Sequence, residues 1–249
     1  MHRFSVRMLA LAGIIALAAC QGGVAGGGIV PQASGAGFAA SGNGEIPLLR
    51  PDAVNRVCPP VQRVGQMRCF ALERSDLRAN DLNPNTTHAG YGPKDLIAAY
   101  ALPTGHPTLI AIVDAYGYPN ASADLAAYRS YYKESACTTN SSCLKIRNQT
   151  GGTKLPPANV SWSGEQALDL DMASAMCAAC HLLLIEANDN STSNLYAAVG
   201  EAVKLGAVVI SNSYGVSEYK SCSGGGQGSN PTFSTAGHVF VAAAGDEGG

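Results

Sequence analysis

From Gly90 onward the chain alternates short, continuous apolar runs with stretches of helical period. The runs are residues 108–116 (T-L-I-A-I-V-D-A-Y), 181–188 (H-L-L-L-I-E-A-N), 207–214 (A-V-V-I-S-N-S-Y) and 238–246 (H-V-F-V-A-A-A-G-D). Between them, helical patterning covers residues 122–133, 165–177 and 193–205. A strand that is apolar on both faces belongs in a sheet covered on both faces, and the intervening helices supply the covers. The pattern therefore predicts an α/β fold, a doubly wound and mostly parallel sheet with helices on both sides. Between Tyr214 and His238 the stretch S-C-S-G-G-G-Q-G-S-N-P has no period, which predicts a loop. No internal repeat of solenoid type is present in the sequence.

The first ninety residues behave differently. Residues 1–20 place Arg3 and Arg7 ahead of a short apolar run, the layout of an export signal, and the run is too short to span a bilayer. Its last four residues, L-A-A-C, resemble a bacterial lipobox, which implies lipidation of Cys20 and anchoring of an exported protein at a membrane. Residues 21–45 are Gly-, Ala- and Ser-rich and read as a flexible tether. Residues 46–88 contain Pro, Arg and two Cys without clear period and read as a small irregular module, leaving residues 89–249 as the main domain.

Export changes the reading of the cysteines, because thiols outside the cytoplasm tend to pair. Neighbours in sequence favour three local bridges, Cys58 with Cys69, Cys137 with Cys143 and Cys177 with Cys180, which leaves Cys222 over. Composition adds little beyond this. With 46% hydrophobic and 14% charged residues the chain can fill a large core, and a net charge of -2 without a Lys/Arg cluster points to neither nucleic acid nor an anionic membrane surface.

The chemistry is concentrated in W-S-G-E-Q-A-L-D-L-D-M, residues 162–172. Ser163 and Gln166 fit a capping box that would start a helix there. An acid in the first helical turn is favoured by the helix dipole, which suffices to explain Glu165 alone. It does not explain Asp169, four residues on, where like charges oppose each other amid Ala167, Leu168, Leu170 and Met172. Two close carboxylates in a poorly solvated place share a proton, which makes one of them a base at mildly acid pH. Asp171 is expected to project elsewhere, into solvent.

Five segments carry a resemblance: G-Y-G-P-K-D-L-I-A-A-Y-A-L-P, I-A-I-V-D-A-Y-G-Y-P-N-A-S-A-D-L, G-E-Q-A-L-D-L-D-M-A-S-A, V-V-I-S-N-S-Y-G and A-A-A-G-D-E-G. Over about 160 residues the chain resembles the sedolisins, serine-carboxyl peptidases related to subtilisin in which a Glu replaces the catalytic His. The resemblance implies a subtilisin-like fold and hydrolysis of protein or peptide substrates at acid pH. It implies Glu165 as general base, Asp169 as its orienting partner and Asp246 as a protonated donor to the oxyanion. Asp114 matches a position where some members carry an extra acid, although a structural role at the strand end is at least as good a reading, and Tyr214 would help shape the substrate cleft. Two departures stand out. The family's large prodomain is not recognisable in residues 21–88, and the family's nucleophile belongs to a G-T-S-x-x-x-P segment that these residues do not contain, so the chain alone is expected to be inactive. No cofactor and no metal ligand is expected in these residues, since the family's calcium site is built from the part beyond G-D-x-G.

Three rivals remain. An ordinary Ser-His-Asp subtilase would use Asp114, but His2, His88, His106, His181 and His238 all lack an H-G-T-like setting. Cys177-Ala178-Ala179-Cys180-His181 satisfies the C-x-x-C-H pattern for c-type haem, which would make an electron-transfer lipoprotein, although His181 opens an apolar run. The third is an exported lipoprotein that binds without catalysing. Ser211 and Ser213 are not expected to replace the missing nucleophile, because neither opens a helix.

Overall fold

The structure is a computed structural model and describes residues 54–61, 63–75, 91–102, 107–216 and 230–245. Cys20, Cys222, Asp246, the signal sequence and the tether lie outside the described residues, as does most of the loop expected before His238. At the centre is a sheet of five parallel strands in the order β5 (Leu144–Asn148), β6 (His181–Ala187), β4 (Leu109–Ala115), β7 (Val209–Asn212), β9 (Val239–Ala242). The fold is α/β and doubly wound, as the pattern predicts.

Strand parity sorts the core into two halves. On one face Ala111, Val113 and Ala115 of β4 meet Leu183, Ile185 and Ala187 of β6, beneath α4 (Thr192–Lys204). Leu195, Ala198, Val199 and Ala202 of α4 stand at i, i+3, i+4 and i+7, the pattern that gives a helix one apolar stripe. On the other face Ile112 meets Leu182 and Leu184, covered by Leu125 of α2 (Ala121–Tyr131) and Leu170 of α3 (Val160–Met176). All of these side chains are buried, and each large one contributes roughly 1.5 to 3 kcal/mol.

Two elements escape the sequence pattern. β5 reads L-K-I-R-N and pairs only with β6, so as an edge strand it needs no continuous apolar run. The helix α1 (Pro93–Ala99) has seven residues, too few to show a period.

The start of α3 corrects an expectation. Its N-cap is Asn159, whose side chain accepts the Trp162 N–H at 3.2 Å, and Ser163 sits one turn inside. Ser163 instead donates to the Gly117 carbonyl at 3.4 Å. Asn is as good a cap as Ser, so the earlier of two suitable residues takes the role.

Residues 54–75, read as an irregular module, join the same core. β1 (Val54–Arg56) and β3 (Leu72–Arg74) pair antiparallel, and Cys58, Met67 and Cys69 pack with Trp162 and Tyr214. Between them β2 (Arg68–Cys69) runs antiparallel to β8 (Tyr214–Gly215), just past the end of β7. The Met67 N–H donates to the Asn190 carbonyl at 2.8 Å, and the Asn190 side-chain amide donates to the Met67 carbonyl at 2.6 Å. This strand therefore crosses the carboxyl ends of β6 and β7.

Three disulfides are present: Cys58–Cys69, Cys137–Cys143 and Cys177–Cys180. Three bridges fit an oxidising compartment outside the cytoplasm. The last one engages both sulfurs that the haem alternative would need for its thioether bonds. Among the described residues no helix is long and apolar enough to cross a membrane.

Candidate active site

In an open parallel sheet the loops at the carboxyl ends of the strands form a crevice where the winding reverses direction. Here the chain goes from β4 outward to β5 and back to β6, then crosses to β7 on the other side, so the reversal lies beside β4. Asp114 is the penultimate residue of β4 and stands opposite Glu186 of β6 in the register. By parity both lie on the face of Ile112 and Leu184, under α3. Both are completely buried.

The helix brings two further acids to this face. Glu165 is 2% exposed, and its Oε2 accepts the backbone N–H groups of Phe70 at 2.7 Å and Ala71 at 2.6 Å. Asp169, one turn later and half-buried, accepts the Ser213 hydroxyl on Oδ1 at 2.8 Å. Glu186 accepts the Tyr118 N–H on Oε1 at 2.8 Å. Asp169 Oδ2, Glu186 Oε2 and both oxygens of Asp114 are buried without a hydrogen-bond partner.

Four carboxyl groups thus converge on the carboxyl end of the sheet, and their titration reflects it. Burial, and then the neighbouring Asp169, Glu165 and Glu186 in that order, push Asp114 well above the usual carboxylate range. Burial lifts Asp169 to about 6, against the hydrogen bond from Ser213, and lifts Glu186 to about 7, against that from Tyr118. Asp171 corrects another expectation: it is half-buried rather than solvated, and burial followed by Asp124 raises it to about 7.

The backbone beside these acids is shaped by its own constraints. Gln166, fully buried, donates its amide to the carbonyls of Ala115 at 3.2 Å and Tyr116 at 3.3 Å. Tyr116 adopts φ 65, a left-handed conformation that costs a non-glycine residue roughly 1 to 2 kcal/mol. Its N–H donates to the Ala187 carbonyl at 2.8 Å and its hydroxyl to Asn190 at 3.1 Å, which hold it there. At Gly117 a Cβ would come within 2.3 Å of the Pro156 carbonyl oxygen, so no side chain fits.

Tyr214 does not face an open cleft. It is 7% exposed, donates its hydroxyl to Asn212 at 2.7 Å and lies with its ring centroid 6.4 Å from that of Trp162. Burial and then Asp114 push its phenol up. A separate cavity of about 430 Å³ opens beside Tyr116, Trp162, Asn190, Met67 and Arg68.

Of the residues expected from the sequence, Glu165, Asp169 and Asp114 come together. Glu186, Gln166, Ser213 and the N–H groups of Phe70 and Ala71 join them without having been expected there. Glu186 carries a signal, an acid inside the apolar run L-L-L-I-E-A. Close buried carboxyls with separated titrations can act as a base and an acid at the same mildly acid pH. Among the described residues no group of three or more His, Cys, Asp or Glu side chains is arranged to hold a metal ion.

No protein-family profile matches the sequence, and no curated protein matches it. Among solved structures, the chain is similar to a Pseudomonas sedolisin, a serine-carboxyl proteinase complexed with two molecules of pseudo-iodotyrostatin. The likeness has 22% identity and a TM-score of 0.40, over 51% of this chain and 35% of that one. This chain thus spans about a third of the length of that structure.

Proposed function

We propose that this chain carries the acid part of a serine-carboxyl peptidase site, on an exported and lipid-anchored protein that acts on polypeptides at acid pH. The observation that carries the reading is the placement of Glu165 and Asp169 on one buried face of α3, beside Asp114. Glu165 takes the proton of the attacking serine hydroxyl as its oxygen bonds to the peptide carbonyl carbon, then returns that proton to the departing amine. Asp169 orients Glu165, and Asp114 extends the acid network into the sheet. Asp246, protonated at acid pH, donates to the oxyanion. The serine is assigned to a G-T-S-x-x-x-P segment absent from the 249 residues.

The test joins the chain to a segment bearing G-T-S-x-x-x-P and follows hydrolysis of an unfolded protein across pH. Activity is expected at roughly pH 3 to 5, where paired carboxylates titrate, and none from the 249-residue chain alone. Glu165→Gln in the joined enzyme should abolish the rate while the fold persists. Acid hydrolysis by the chain alone, or full activity of that variant, overturns the mechanism.

A second reading, a binding lipoprotein without catalysis, draws on the same helix. Glu165 already accepts two backbone N–H groups from residues 70 and 71, which is a structural employment for the acid. A joined protein that folds, binds an extended peptide and never cleaves it would favour this reading.

A further inference from the structure

We propose that Glu186 is a further member of the acid site, a positioning residue that shares one proton with Asp114 and clamps the turn at residues 116–118 over the pair. Asp114 and Glu186 are register partners on adjacent parallel strands, where aligned residues lie about 4.8 Å apart, and parity turns both side chains to the same face. Both are fully buried, and three of their four carboxyl oxygens have no hydrogen-bond partner. The fourth, Glu186 Oε1, accepts the Tyr118 N–H. Glu186 Oε2 lies beneath the same turn, since a Cβ at Gly117 would come within 3.5 Å of it.

Among the described residues no positive charge bears on these two carboxyls. The charged groups bearing on Asp114 are Asp169 and Glu165 from α3 and Glu186 from β6, all of them acids, and from β8 the Tyr214 phenol joins them. Ser213 donates to Asp169, and the Gln166 amide donates to backbone, so neither supplies a proton to the pair. Two ionised carboxylates so placed would repel in a region that water does not reach, whereas one proton held between them removes a charge and satisfies two of the orphaned oxygens. Burial also raises the titration of Glu186, against the hydrogen bond from Tyr118. Glu186 touches neither α3 acid through a hydrogen bond, so its influence passes through Asp114 and through the turn that begins at Tyr116.

The shared proton stands independently of catalysis; its effect on a reaction rests on the acid-peptidase reading. Infrared titration of the 249-residue chain tests it directly. A protonated-carboxyl band should persist at about pH 6, where exposed carboxyls are ionised. In Glu186→Gln the titration midpoint of that band should fall by about one on the pH scale or more, Asp114→Asn should move it as well, and the double variant, which keeps neither carboxyl, should lose the part of the band that the pair contributes. A band absent from the wild type at that pH, or unmoved by Glu186→Gln, overturns the proposal. Should Glu186→Gln fail to fold, Glu186→Asp serves: one methylene shorter, it should lose hydrogen-exchange protection at the Tyr118 amide, and unchanged protection overturns the clamp. In the joined enzyme Glu186→Gln should shift the pH profile of kcat with KM unchanged. A joined enzyme that is inert at every pH defeats the peptidase reading and leaves the infrared result to decide this one.

Discussion

The backbone N–H of Phe70 donates to Glu165 Oε2 at 2.7 Å, joining positions 95 apart in the chain. Ala71 adds a second N–H to the same oxygen at 2.6 Å. The acid read as a general base is therefore also the anchor of the strand that crosses the sheet end. Glu165→Ala strands both donors, one of them fully buried, and an unsatisfied buried donor costs roughly 1 to 3 kcal/mol. The expected outcome is destabilisation of that order in urea, with lost exchange protection at both amides. Glu165→Gln keeps an acceptor oxygen and should lose less. Equal stability of Glu165→Ala and the wild type would show that these bonds hold nothing.

Ser213 and Asp169 make a second checkable pair. Burial raises the Asp169 carboxyl to about 6, and the Ser213 hydroxyl at 2.8 Å works in the opposite direction by favouring the ionised form. Ser213→Ala removes the only described donor to Oδ1, so the Asp169 titration should move upward. Carboxyl chemical shifts followed by NMR against pH would measure it. A downward movement, or none, contradicts the geometry.

Much of this arrangement is legible in the sequence where burial is symmetric. β4, β6 and β7 are covered on both faces, which forces continuous apolar runs, and α4 is covered on one, which forces a stripe. β5 is not legible, because an edge strand of lysine and arginine alternating with apolar residues has no such constraint. Asp114 and Glu186 carry the same anomaly, an acid followed by alanine near the end of an apolar run, and either one passes for a strand end. The grip of Phe70 and Ala71 on Glu165 has no signature at all, since backbone N–H groups are common to every residue and the partners are far apart in sequence. Asp171 departs from its expected solvation because it is half-buried in the folded chain, and burial, then Asp124 of α2, raise its titration.

The disulfides differ in what they should contribute. A cross-link removes more chain entropy when it closes a longer loop. Cys58–Cys69 closes a separation of 11 and Cys177–Cys180 a separation of 3. Replacing the first pair by Ser should cost about 3 kcal/mol and the second about 1.5. The larger loss should appear together with loosening of β2, since Cys69 pairs with Tyr214 across the short antiparallel ladder. Comparing urea midpoints of the two double variants checks the order. Non-reducing peptide mapping should find both links, and any bridge between the two pairs would contradict the arrangement.

The raised carboxyls set the direction of the pH dependence of stability. Glu186 moves from an ordinary 4.5 to about 7, Asp169 from 3.8 to about 6 and Asp171 from 3.8 to about 7, and Asp114 is likewise held above its usual range, by burial and then by its acidic neighbours. Each of these groups loses its proton earlier in the unfolded chain than in the folded one. Between about pH 4 and 7 the folded state therefore holds more protons, and stability must fall as pH rises through that window. A tenfold difference in proton affinity between the two states is worth about 1.4 kcal/mol, so Glu186 alone accounts for roughly 3 kcal/mol, present in full below pH 4 and gone above pH 7. Asp189 acts in the opposite sense, since hydrogen bonds from Ser191 and Asn194 outweigh its burial and lower it, but its contribution fades only below the ordinary carboxylate range. The urea midpoint should thus be higher at pH 4.5 than at pH 7.5, and in Glu186→Gln the difference should shrink because the variant is stabilised at the upper pH. A midpoint that rises between pH 5 and 7.5 would mean that these carboxyls are ionised in the folded protein, and the buried acid cluster as described would be wrong.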